Sequence, residues 1–296
     1  MFAASESKGR AASLANLPKG AVLLIVLELC ERFSFYGMLS LLALFLSDDT
    51  ASGGFGWTSS RALSVVGIYS ALAYSLPVLG GVLADRIWGA RRGIAMGATV
   101  MTAGHFSMAL PAFLQAELAE PALFGAIALL SLGNMLMKSP LTITLGDVFE
   151  GEDPRRQTAF AYYYVSISVG GLFAGILVGS VAESIGWHWG FSIAGVSMGF
   201  ALLIYLSLAP RLLGQAGTKR GESQSSATIF SSIGKPAFYE PALLLVIMAG
   251  FICVFEIGWF QLYGSWTVFI RDSVAREIGN WTVPVPWFHA INSAVA

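Results

Sequence analysis

Five charged residues of this chain lie inside apolar runs. Glu28, Glu31 and Arg32 fall in Glu-Leu-Cys-Glu-Arg-Phe-Ser-Phe-Tyr-Gly, Lys138 in Gly-Asn-Met-Leu-Met-Lys-Ser-Pro, and Glu256 in a third run. Charge buried among apolar residues is costly unless paired, so it points first to chemistry. At roughly 100° per residue on a helix, Glu28, Glu31 and Arg32 share one face with Phe35, Tyr36 and Leu39. That face must look into a protein interior or a wet cavity. Arg32 can pair with Glu28 at i,i+4, with Glu31 near enough to share the charge. One carboxylate then remains over, suited to taking up and releasing a proton. A static ion-pair cluster holding helices together is the plainer alternative. Lys138 needs a carboxylate from the protein or from a ligand, and Glu256 is one such acid. Pro140, two residues on, is expected to loosen the helix and free a carbonyl.

The elements that must position these groups follow from composition. Of 296 residues, 55% are hydrophobic and 12% charged, about half the charge of a soluble globular chain. Apolar runs of about 20 residues or more, enough to cross a bilayer, lie at roughly 20–46, 62–85, 93–114, 121–146, 158–182, 187–209 and 241–270. An eighth opens near Trp287. The chain reads as an all-α polytopic membrane protein. Lys8, Arg10, Lys19, Arg86, Arg91, Arg92, Arg155, Arg156, Arg211, Lys219, Arg220 and Lys235 fall on one side of these spans; Arg61, Arg271 and Arg276 fall on the other. The positive-inside rule then places the amino terminus in the cytoplasm. The expected organisation is a cytoplasmic segment 1–19, a six-helix bundle 20–209, a cytoplasmic linker 210–240, made flexible by Gly, Ser, Gln and Lys, and 241–296 as a seventh helix and the start of an eighth. Gly171, Gly175 and Gly179, and likewise Gly195 with Gly199, form small-residue stripes for close helix packing.

Other chemistry is thinly represented. A net charge of −1 gives no basic field for nucleic acid. Cys30 and Cys253 sit in apolar runs and frame neither a disulfide set nor a zinc site, and His105, His188 and His289 have no spacing of a metal site or triad. No catalytic or metal-binding residue is expected, and no cofactor. An intramembrane protease would draw its acids from two helices, whereas Glu28 and Glu31 share one.

Several of these segments together resemble the proton-dependent oligopeptide transporter family, a branch of the major facilitator superfamily. Glu28 to Gly37 is similar to its ExxERFxYYG first-helix motif, and Gly80 to Arg86 to the superfamily's GGxxADR turn. Gly133-Asn134 through Lys138 and on to Leu145-Gly146-Asp147 resembles its fourth helix, and Tyr163-Tyr164 to Gly170 its FYxxINxG signature. Gly264-Ser265-Trp266-Thr267 and Val285 to Asn292 resemble its seventh helix and the approach to its eighth. The resemblance implies a major-facilitator-type amino-terminal six-helix bundle, with symport of protons and di- or tripeptides by alternating access about a midplane site. It implies that Glu28, Glu31 and Arg32 couple protons, and that Lys138 pairs with a seventh-helix acid or receives the peptide carboxylate. Tyr36 and Tyr74 would line the peptide site, together with Asn134, Ser168, Gln261 and Glu256. Gly81, Asp85 and Arg86 would form a cytoplasmic gating turn. The implied partners are a small peptide, protons and the bilayer of a cell membrane, with the proton gradient as driving force.

Four positions depart from the pattern. Leu39 stands where many members have a basic residue, Phe35 replaces a tyrosine, Ser168 an asparagine, and Gln261 stands at an acid's place. These changes bear on peptide specificity more than on proton coupling. They leave open a transporter of another small solute in the same superfamily. Because 1–296 carries only the opening of a second bundle, it is expected to be a fragment of a longer transporter; a truncated, non-transporting chain that pairs with a full-length partner is the alternative reading.

Overall fold

The computed structural model describes residues 13–149, 151, 153–218 and 236–295. Segment 1–12 and most of the 210–240 linker lie outside the described residues. The helices are α1 (Lys19–Ser47), α2 (Ser59–Leu83), α3 (Ala90–Ser107), α4 (Ala116–Asp147), α5 (Arg155–Phe173), α6 (Gly179–Ile185), α7 (Trp187–Leu212), α8 (Pro236–Phe260), α9 (Ser265–Ser273) and α10 (Val285–Val295). A π-helical turn, Ala174–Val178, joins α5 to α6 as one continuous span, and another, Ala84–Trp88, extends α2. Six of the resulting helices are long and apolar enough to cross a membrane. With 29 residues, α1 has the length as well, about 43 Å at the α-helical rise, although it carries three charges.

Local sequence sets the breaks. Thr58 caps α2 by accepting from the Arg61 backbone N–H. Gly89 (φ +79°) separates α2 from α3, and Gly186 (φ +138°) separates α6 from α7. Both are conformations that a Cβ disfavours. The expected loosening at Pro140 does not interrupt α4, which runs unbroken through Pro121 and Pro140. The seventh apolar run is broken at Gln261–Gly264, between α8 and α9. A two-stranded hairpin, β1 (Glu277–Ile278) paired antiparallel with β2 (Trp281–Thr282), leads from α9 into α10.

The centre of the bundle is α1. Nearly every side chain from Gly20 to Leu46 is buried, with α2, α4, α5, α7, α9 and α10 packed around it. This helix is enclosed on all sides, its charged face included. Close crossings depend on glycine. A Cβ at Gly97 would stand 2.6 Å from Met137 Cβ, and one at Gly170 2.9 Å from Arg32 Cβ. These two positions press α3 onto α4, and α5 onto the charged turn of α1.

Candidate functional site

The charges converge at the middle of the bundle. Arg32 holds Glu31 through two bonds, Nε to Oε2 at 2.5 Å and Nη2 to Oε1 at 2.6 Å. Its Nε lies 3.5 Å from Glu28 Oε1. Glu28 Oε1 accepts from Lys138 Nζ on α4, and Glu28 Oε2 accepts from the Tyr163 hydroxyl on α5 at 2.7 Å. Lys138 Nζ also lies 3.7 Å from Glu31 Oε2. The Arg32 guanidinium stands 4.6 Å above the Phe35 ring, a cation–π contact. Glu28, Glu31 and Arg32 are almost wholly buried, whereas the Lys138 side chain is 26% exposed.

Two expectations are corrected by this geometry. The partner of Lys138 is Glu28 of α1, and not an acid of the seventh span. Glu256 is half-buried and lines a separate open cavity of about 680 Å³ between α2 and α8, with Tyr74, Ser70 and Gln261. Arg32 takes Glu31, and not Glu28, as its close partner. Once Lys138 is counted, two acids face two cations and no carboxylate is left over. The cluster is balanced as it stands.

The remaining residues divide into two groups. Tyr36 stacks on Tyr263 (centroids 5.7 Å, planes 14° apart) and meets Trp259 edge-on, and Tyr74 meets Phe260 at 5.1 Å. These rings join α1 and α2 to the end of α8 and the turn after it. Asn134 donates to the Ala73 carbonyl at 2.5 Å and ties α4 to α2. Ser168 is half-buried on α5, while Gln261 is exposed and accepts from Ser265. Gly81 approaches Ser139 of α4, and Asp85 and Arg86 lie exposed at the end of the second span, away from the charge cluster. Tyr163, which supplies the hydroxyl on Glu28, was visible only as part of the fifth-span motif; nothing in spacing joins it to α1. Among the described residues no set of His, Cys, Asp and Glu is placed to hold a metal.

Comparison with known proteins agrees with this architecture. A family model described as the POT family matches residues 91–234. The chain is 37% identical over 190 residues to a di-/tripeptide transporter of Lactococcus lactis subsp. lactis (strain IL1403), covering 64% of this chain and 37% of that protein. It is 33% identical over 201 residues to the uncharacterized transporter YclF of Bacillus subtilis (strain 168), covering 68% of this chain and 40% of that one. The chain thus spans about two fifths of these relatives. A crystal structure of a mutant peptide transporter POT in complex with alafosfalin matches with a TM-score of 0.78 at 24% identity, over 95% of this chain and 66% of that one. A POT family transporter in complex with 5-aminolevulinic acid matches with a TM-score of 0.76 at 22% identity, over 96% of this chain and 68% of the other. At these identities the structural likeness is one of fold.

Helices wrapped around a buried charge cluster, in this arrangement, define a polytopic integral membrane protein of the major facilitator type. The chain belongs to the POT family of that superfamily, a family of transporters and not of enzymes.

Proposed function

We propose that this chain supplies the amino-terminal bundle, the seventh span and the start of the eighth of a proton-coupled symporter of di- and tripeptides. The amino terminus is cytoplasmic in this reading, by the bias of Lys and Arg among the loops. The observation that carries the proposal is the Glu28 carboxylate, bound at once by Lys138 and Tyr163 and approached by Arg32. The balance of the cluster supplies the coupling. Two acids and two cations are neutral together, and Lys138 is the member that is partly exposed. A peptide carboxylate that takes Lys138 adds a negative charge, and one of the two glutamates is then short of a cation. In a low-dielectric interior that excess is costly. A proton on Glu31 or Glu28 removes it, so substrate and proton enter together. Tyr36 and Tyr74 offer aromatic and hydroxyl surface beside the route. Arg32 holds Glu31 in place throughout.

A second reading, transport of another small solute, is favoured by two observations. Leu39 is fully buried, and Phe35 lies beneath Arg32 with no hydroxyl to offer. Purified native protein in proteoliposomes separates the two. With the outside acid, labelled dipeptide should enter saturably, and excess unlabelled di- and tripeptides should block it. Uptake of some other solute that no peptide competes would decide for the second reading.

A further inference from the structure

Glu183, near the end of α6, joins the bundle to the second part of the chain. Its carboxylate accepts from the backbone N–H of Val285, the first residue of α10, at 2.7 Å, and from Nη1 of Arg276 at 3.2 Å. The same Arg276 nitrogen donates to the Val283 carbonyl at 2.8 Å, which fixes the loop entering α10. Both side chains of the pair are about four-fifths buried. One turn down, Trp287 Nε1 donates to Ser180 at 2.9 Å. Below that, α10 lies in the stripe of missing side chains. A Cβ on Gly175 would stand 2.6 Å from the Pro286 carbonyl oxygen, and one on Gly171 2.6 Å from Ser293 Oγ. Nearby, Arg271 of α9 donates to Ser47 of α1 at 2.5 Å.

The bonds of Glu183, Trp287 and Arg271 lie at the end of the molecule read as outer, where the loops 48–58 and 274–284 lie, whereas the Gly171–Ser293 approach lies deeper, beside Tyr36. Toward the opposite end α8 is exposed along residues 243–255. The polar bonds named here gather at the outer end, above the aromatic contacts of Tyr36 with Trp259 and Tyr263. We propose that Glu183 is the latch of the outer end. Its two bonds hold α10 in the glycine groove while the outer side is closed, and opening that side requires both to break. The Glu183 carboxylate, held by Arg276, stands at the α10 N-terminus, where the helix dipole favours a negative group. The bare groove sets how closely α10 can return. This inference rests on the alternating-access reading and on the assigned orientation.

Accessibility to a membrane-impermeant maleimide tests the latch without any substrate. In the native membrane protein carrying Cys253→Ser and Ser293→Cys, the new thiol lies half-buried against Gly171. Glu183→Ala should raise its labelling rate from the outer face about fivefold, and Glu183→Gln by less, because one acceptor oxygen is kept. Gly175→Leu, which obstructs the groove, should label fast even with Glu183 intact. Should Glu183→Ala fail to fold, Arg276→Met carries the test from the other side of the pair, with the same expected acceleration. Rates unchanged in these variants, or raised only for reagent added at the cytoplasmic face, overturn the proposal. Dipeptide uptake in the parent distinguishes the two claims. Absent uptake with Glu183-sensitive labelling removes the peptide reading and leaves the latch, and normal uptake with insensitive labelling does the reverse.

Discussion

Glu28 of α1 and Lys138 of α4, 110 residues apart in sequence, form a direct ion pair between helices at the centre of the molecule. The pair makes the two helices one electrostatic unit. It also couples the exposed member, Lys138, to carboxylates that water does not reach. Whatever displaces Lys138 is felt at Glu28 and, through Arg32, at Glu31.

Removing one partner leaves the other buried and uncompensated. Lys138→Ala should cost about 3 kcal/mol of stability and abolish uptake. Adding Glu28→Gln to it should restore most of the stability without restoring uptake. Thermal unfolding in detergent and uptake in proteoliposomes check the two halves separately. Recovery of uptake in the double variant would mean that the pair serves structure alone.

The Tyr163 hydroxyl is the one neutral donor on Glu28. Tyr163→Phe should destabilise the native background by about 2 kcal/mol, as for a hydrogen bond to a charged group. In a Glu28→Gln background the loss should shrink to below about 1 kcal/mol. A double-mutant cycle on unfolding reads the difference. Equal losses in both backgrounds would show that the hydroxyl does not act on Glu28.

Packing of α3 on α4 depends on the absence of a side chain at Gly97, where a Cβ would meet Met137 at 2.6 Å and the Gly133 carbonyl at 2.7 Å. Gly97→Val should lower stability by about 1–3 kcal/mol through overpacking. Gly67→Ala, at a position with open space around it, should leave the unfolding temperature unchanged.

Much of this was legible in the linear sequence, and the remainder has identifiable causes. The spans are visible because each needs about 20 apolar residues, and a charge inside one is conspicuous. Glu28, Glu31, Arg32 and Lys138 are found on that ground alone. What the sequence withholds is which helix faces which. A lysine in an apolar span shows that a partner is needed and not where it comes from, and the family resemblance points to the seventh span, where Glu256 lies, rather than to Glu28. Arg32 was matched to Glu28 by helical spacing, yet its guanidinium closes on the adjacent Glu31, a choice made by rotamers and by Lys138 occupying Glu28. The glycines of the fifth span read as generic packing, and only the fold shows α10 lying in them. The break at Gln261–Gly264 gave no signal, since that stretch remains apolar and aromatic on both sides.

The most direct test of the account is accumulation of a labelled dipeptide by the native protein in proteoliposomes, with and without an imposed pH gradient, for wild type and Glu31→Gln. Wild type should concentrate the peptide above equilibrium only when the outside is acid. Glu31→Gln should lose that accumulation while exchange of labelled for unlabelled peptide across the membrane remains measurable. Gradient-driven accumulation undiminished in Glu31→Gln, or loss of accumulation and exchange together, would contradict a proton-coupling role for this carboxylate.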